Sequence, residues 1–154
     1  MVWNEVEDQA EAVPLFADMS SSILSQPVDV SKFAVIYAGA QKNIGAAGLV
    51  VMIVREDLLA RCPKELPKIF NYAEHAAHGS LLNTPNTFGW YLAGLVFKWL
   101  RAEGGLEAVG ARNRAKADLL YGYIDGSGFY RNPVERAARS RMNVPFTLAR
   151  ADLD

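Results

Sequence analysis

The stretch from Phe33 to Val54 reads FAVIYAGAQKNIGAAGLVVMIV. Two apolar runs, 33–38 and 48–54, flank a small-residue segment that holds one lysine, Lys42. Both runs carry the Val, Ile and aromatic bias of buried strands. The glycines from Gly39 to Gly45 suit a turn, so the runs are expected to lie side by side in one sheet. Surface lysines usually have charged neighbours, yet the nearest charged residues in sequence are Lys32 and Arg55. Such an amine is either a solvated group on a hairpin turn or a nucleophile. A neutral lysine amine condenses with a carbonyl to give a Schiff base, and an apolar setting favours the neutral form. The Gly, Ala and Ile around Lys42 are expected to supply that setting and to leave room for a flat ring close to the backbone.

Working outward, residues 13–18, VPLFAD, read as a short strand that ends in a carboxylate, Asp18, followed by three serines. Asp18 is a turn former or cap, or else the partner of a protonated ring nitrogen. A lysine for an aldehyde and an aspartate for a pyridinium nitrogen are the two groups that pyridoxal 5'-phosphate (PLP) requires. Downstream, SLLNTPNT at 80–87 places Asn83 and Thr84 just ahead of a helix. They form a plain N-cap, or donate with the positive helix end to a phosphate.

The helix itself is signalled by NTFGWYLAGLVFKWLRAEGG, in which Phe88, Leu92, Leu95, Val96 and Trp99 recur at spacings of three and four. Asn86 or Thr87 is expected to cap its start and Gly104–Gly105 to close its end. A second helix is expected from about Leu106 to Tyr123, then a turn at DGSG (125–128) and a strand in SRMNVPFTL (140–148). Before these, EDLLARCPKEL reads as a short helix broken by Pro63. The stretch from Pro67 to Pro85 shows no period and reads as a long loop, the kind that is often functional or covers a partner. His75 and His78 stand three apart within it. Without a third ligand, and with Gly79 adjacent, they are expected to lie in an interface loop, with no metal bound.

Composition sets outer limits. A chain of 154 residues, half hydrophobic and about a fifth charged, suits a globular α/β domain with a true core. A net charge of −1 gives no reason to expect nucleic acid or an anionic membrane as partner. The acid-rich start (Glu5, Glu7, Asp8, Glu11) and the arginines from Arg101 to Arg141 read as solvated surface. One cysteine, Cys62, rules out an intrachain disulfide, fits a reducing cytoplasm and reads as a plain thiol. The opening residues lack the basic-then-apolar pattern of a signal peptide, and GLVVMIV is too short to span a bilayer.

Three blocks, FADMSSSILSQPVDVSKFAVIYAGAQKNIGAAGLVVMIVREDLL, NTPNTFGWYLAGLVFKWL and RSRMNVPFTL, together resemble the phosphoserine aminotransferases. These are class V, fold-type I PLP enzymes, and the resemblance runs from about Pro14 to Leu148. Other class V enzymes, such as cysteine desulfurases, share the lysine and aspartate but not GAQKNIG together with MNVPF. The resemblance implies a mixed sheet flanked by helices. Residues 1–138 would be the later portion of the large PLP-binding domain, and 139–154 the first strand of a small C-terminal domain. It implies Lys42 as the Schiff-base lysine, Asp18 as the pyridinium partner and Gln41 as a contact of the cofactor phosphate. Asn83 and Thr84 would reach the cofactor phosphate of the neighbouring subunit in a homodimer.

The implied reaction passes an amino group from glutamate to 3-phosphohydroxypyruvate, giving 2-oxoglutarate and O-phosphoserine in the cytoplasm. That step serves serine biosynthesis and in some bacteria pyridoxine biosynthesis. Family members are more than twice as long, so the chain is expected to correspond to a central fragment. The phosphate-cradling turn, the ring stacked on the cofactor and the substrate arginines would then lie elsewhere, and the alternative is a non-catalytic remnant. Where the family has Asn-Thr-Pro-Pro, this chain has Asn86 after Pro85, which is expected to loosen the entry to the helix.

Overall fold

The computed structural model describes residues 13–150 and Asp152. The acidic start therefore lies outside the described residues, as does part of the 139–154 segment. Strand β1 (Phe16–Asp18) pairs in parallel with β2 (Val35–Gly39), which pairs antiparallel with β3 (Val50–Val54). The result is a mixed three-stranded sheet in the order β1-β2-β3. Pairing of β2 with β3 is the arrangement expected from the opening stretch. β3 is not a fully buried strand, however. It lies at an edge of this sheet, and Val50 and Ile53 are exposed.

Alternation along the strands sorts the two faces. Ala17, Ile36 and Ile53 are in register across the sheet, and Ala38 pairs with Val51. This face packs on helix α3 (Thr87–Ala102), and the core gathers Ala17, Met19, Ile23, Phe33, Ile36, Ala38, Ala40, Ile44 and Ala93. On the other face Asp18 lies opposite Tyr37, and both are exposed. The register thus turns Asp18 away from the α3 side and toward solvent.

Helix α3 departs from the expected face. Its buried positions are Gly89, Ala93 and Leu100, whereas Phe88 is 65% and Trp99 51% exposed. The helix is apolar nearly all round, so large residues fall on every side and periodicity alone does not choose among them. Close approach decides it. A Cβ at Gly45, in the Lys42 loop, would stand 3.5 Å from the backbone nitrogen of Ala93. Gly45 and Ala93 make the contact, while Phe88, Tyr91 and Trp99 are left more than half exposed.

Asn86 begins this helix as its cap: its Oδ1 accepts from the N–H of Gly89 at 3.0 Å. Its Nδ2 donates to the carbonyl of Gly48 at 3.4 Å. The residue expected to loosen the helix entry instead ties it to the β2–β3 loop. Asn86→Ala should therefore cost about 1 kcal/mol, measured as a lower urea midpoint with an unchanged slope.

Gly104, at φ +95°, makes the left-handed turn from α3 into α4 (Gly105–Gly126). Helix α4 runs past the expected end at Tyr123 and absorbs Asp125 and Gly126 of the anticipated turn. It buries Val109, Ala117, Tyr121 and Ile124, whose spacings of eight, four and three keep one stripe inward. Residues 67–85 also differ from a featureless loop. A short 3₁₀ turn (Lys68–Phe70) precedes helix α2 (Tyr72–Ala77), capped by buried Asn71 through the N–H groups of Ala73 and Glu74. Six residues are too few to show a period. The expected helix at EDLLARCPKEL is one turn, α1 (Glu56–Leu59), ending before Pro63.

Beyond α4, only Thr147–Leu148 (β5) of the expected strand at 140–148 is in a ladder, paired with Tyr130–Arg131 (β4). Other bonds hold this segment to α4. The Tyr121 hydroxyl donates to the Ser140 carbonyl at 2.8 Å, and Arg139 grips both Asp125 oxygens at 2.7 and 2.8 Å. The Arg139 bond, opposed by burial and helped by Arg136, holds the Asp125 carboxyl below its ordinary value near 3.8. A depressed folded value means that the contribution is full above that ordinary value. It is lost as pH falls through the lower folded value. Asp125→Asn should therefore flatten the loss of stability below about pH 4, read from urea midpoints across that range.

Candidate functional site

The site stands at the carboxyl ends of the parallel pair β1 and β2, where open α/β sheets place their ligands. Asp18 is the last residue of β1, and Lys42 follows β2 by three positions. Between β2 and β3 the chain coils once around Lys42, since the N–H groups of Ile44 and Gly45 both reach the Ala40 carbonyl, at 3.0 and 2.8 Å. Ala40 and Ile44 turn into the core, each at most 1% exposed, and anchor the coil.

This arrangement corrects one expectation about the loop. Its apolar side chains face the core, so they do not enclose the amine, and Lys42 is exposed. The partner of Lys42 is a hydroxyl: Nζ donates to Ser21 Oγ at 2.7 Å. Among the described residues no carboxylate lies within ion-pair distance of that amine.

Asp18 is held by the residue two places on. Its Oδ1 accepts from the Ser20 hydroxyl at 2.6 Å and from the Ser20 N–H at 2.9 Å. The Ser20 hydroxyl in turn accepts from the N–H of Gly39 at 3.0 Å, clamping the carboxylate to the end of β2. The Ser20 side-chain bond, then its backbone bond, lower the Asp18 pKa against partial desolvation. Tyr37 and the positive charge of Lys42 add to the effect. Asp18 is thus an ionised carboxylate beside an amine, preset for a cationic partner.

Gln41 is exposed, and its amide folds back over Gly39. A Cβ at Gly39 would collide with Gln41 Oε1, so glycine leaves the space that the amide occupies. The next residue, Asn43, donates to the Ile23 carbonyl at 2.6 Å and joins the lysine loop to the serine turn. Asn83 and Thr84 are exposed on the segment leading to α3, and no hydrogen bond links them to Asp18, Gln41 or Lys42. The structure brings three of the five expected site residues into one cluster and leaves that pair outside it.

Sequence reasoning missed Ser20, Ser21, Tyr37 and Asn43 as members of the cluster. The serine run after Asp18 was a visible signal for a turn. That consecutive hydroxyls serve the carboxylate and the amine depends on the pairing of β1 with β2, which local sequence does not state. The apolar cleft lined by Ile36, Val51, Ile53 and Phe97 is on the opposite face of the sheet from Asp18. His75 and His78 are spent on carbonyls, of Ile69 at 3.0 Å and Glu74 at 2.8 Å, at the end of helix α2 rather than in a loop. Among the described residues no group of three His, Cys, Asp or Glu is placed to hold a metal ion.

The sequence and the mixed α/β sheet are shared with a known class of transferases. A family profile described as aminotransferase class-V matches residues 3–153, and the chain belongs to that family. The similar curated proteins carry a narrower name. The phosphoserine aminotransferase of Azotobacter vinelandii is 64% identical over 92% of this chain and 39% of its own length. That of Pseudomonas aeruginosa PAO1 is 61% identical over the same shares.

Among solved structures, the phosphoserine aminotransferase of Bacillus circulans subsp. alkalophilus superposes with a TM-score of 0.88 at 51% identity, over 92% of this chain and 40% of that one. A PLP-bound phosphoserine aminotransferase from Trichomonas vaginalis gives 0.85 at 40%, over 89% and 38%. The resemblance read from the three sequence blocks and the fold-type I sheet both hold. The chain spans about two fifths of the length of the curated relatives it matches.

Proposed function

We propose that this chain carries the lysine-bearing part of a PLP site for transamination between glutamate and 3-phosphohydroxypyruvate, a step of serine biosynthesis. The observation that carries the reading is the placing of Asp18, held by Ser20 at the carboxyl end of β1, within reach of the charge of Lys42 in the loop after β2. The residues fit the cofactor: a held carboxylate suits a cationic ring nitrogen, and an exposed amine with a hydroxyl partner is accessible to an aldehyde. When bound, the cofactor supplies an aldehyde and an electron-withdrawing ring. Asp18 would hold the ring nitrogen in its protonated form. Lys42 Nζ would hold the aldehyde carbon and, when free, would take and return the α-proton of the amino acid as base and acid. On the resemblance, Gln41 would hold the phosphate from the same subunit, and Asn83 and Thr84, outside the cluster, would hold it from the neighbouring subunit of a homodimer.

On the same reading, residues 1–138 belong to the large cofactor-binding domain and 139–154 open the small one. We place the protein in the cytoplasm, with a second role in pyridoxine biosynthesis, on the resemblance. Among the described residues no helix is long and apolar enough to cross a membrane.

The exposure of Asp18, Gln41 and Lys42 favours a second reading, in which this polypeptide by itself binds the cofactor without turnover. Incubation with PLP, glutamate and 3-phosphohydroxypyruvate separates the two. O-Phosphoserine formed by the purified chain overturns the non-catalytic reading. Cofactor capture without product supports it.

A further inference from the structure

Two hydroxyls from one turn serve the two charged groups of the site, and only that of Ser20 is explained by holding Asp18. The other, Ser21 Oγ, has the Lys42 amine as its partner at 2.7 Å. The turn that presents it is fixed from three sides. Within it, the N–H groups of Ser22 and Ile23 reach the Met19 carbonyl at 2.9 and 2.8 Å. From the lysine loop, Asn43 holds the Ile23 carbonyl at 2.6 Å, and from α4, Asn113 holds the Ser25 carbonyl at 2.9 Å. Ser21 is thus a hydroxyl on a braced backbone facing a four-carbon side chain on an open surface. Lysine has several rotatable bonds and no fixed fork, so an exposed amine wanders unless something holds it.

We propose that Ser21 is a positioning residue for Lys42, holding its amine at the site whenever the amine is not bonded to a carbonyl. A serine hydroxyl has lone pairs to accept from the ammonium form and one hydrogen to donate to the neutral nitrogen. The same contact therefore persists as the amine gains or loses its proton. The bonds from Asn43 and Asn113 keep the hydroxyl in place while the lysine swings. The inference rests on Lys42 being the reactive amine, as proposed above.

The test compares the wild-type chain with Ser21→Ala and Ser21→Thr in two labelling reactions read by peptide mass, with circular dichroism as a check on folding. In the first, trace acetic anhydride samples how free the amine is, with Lys64, Lys68, Lys98 and Lys116 as internal standards. Loss of a held hydrogen bond should raise Lys42 acetylation roughly two- to tenfold in Ser21→Ala, with Ser21→Thr near wild type. In the second, PLP followed by borohydride samples whether the amine is correctly placed. Here the initial rate of capture at Lys42 should fall in Ser21→Ala and recover in Ser21→Thr.

A purely structural role would move both reactions in the same direction. Opposite movement with rescue by threonine is the expected signature. Unchanged Lys42 acetylation in Ser21→Ala overturns the proposal, as does failure of threonine to restore it. If wild-type Lys42 captures no more PLP than the standard lysines, the cofactor reading fails, and the acetylation result alone decides the role of Ser21.

Discussion

Lys42→Ala should abolish the visible absorption that PLP acquires with the wild-type chain, and leave the unfolding free energy within about 0.5 kcal/mol of wild type. The first effect follows from chemistry, because Lys42 is the amine whose charge acts on Asp18, the carboxylate held at the carboxyl end of β1. The second follows from exposure. Lys42 gives up one hydrogen bond to Ser21 and no buried surface, while the loop is anchored by Ala40 and Ile44. In a complete assembly of the site the same substitution should slow amino transfer by at least the 10²–10⁴-fold typical of losing a general base. Asp18→Asn keeps the shape but loses the charge. It should weaken cofactor retention by roughly tenfold, the scale of one charge-assisted bond. The absorption titration reads both variants, and a full-strength band in Lys42→Ala would contradict the assignment.

Ile44→Ala should be the most damaging single change to the fold, at about 2–5 kcal/mol. Ile44 is 1% exposed in the main core, and it is also the anchor of the coil around Lys42. A domain of this size commonly has about 5–15 kcal/mol in total, so the variant loses a large share of its stability. Ile36→Ala, at 2% exposure in the middle of β2, should cost a similar amount. The two differ in consequence. Ile36 supports the sheet, whereas Ile44 also supports the loop, so at equal residual folding Ile44→Ala should capture PLP more slowly. Urea melts paired with PLP capture distinguish them. Equal capture rates in the two folded variants would show that the coil does not depend on its anchor.

The local signals in the sequence were enough for β2, β3 and the placing of Asp18 at a strand end and Lys42 in the loop between two strands. Val, Ile and Tyr in a short run choose a strand through local sterics, and a lysine among glycines stands out against any ordinary surface. What the sequence did not carry were facts about packing partners. The face of α3 depended on where the Gly45 loop could approach, and a helix with aromatic residues on all sides conceals that choice. Helix α2 was too short to declare itself among residues 67–85, although Asn71 was a cap in plain view. The extended reading of 140–148 shrank to two paired residues because Asn132, Tyr121 and Arg139 hold that segment by side chains as much as by a ladder. Around Lys42, residue type suggested an apolar enclosure, yet burial belongs to Ala40 and Ile44 and the amine faces solvent.

The central claim is that Lys42 is the residue that bonds PLP. Peptide mapping of the wild-type chain after PLP binding and borohydride reduction tests it most directly. One reduced adduct is expected at Lys42, formed at PLP concentrations that leave Lys64, Lys68, Lys98 and Lys116 unmodified. An adduct spread evenly over the surface lysines, or one that spares Lys42, would contradict it.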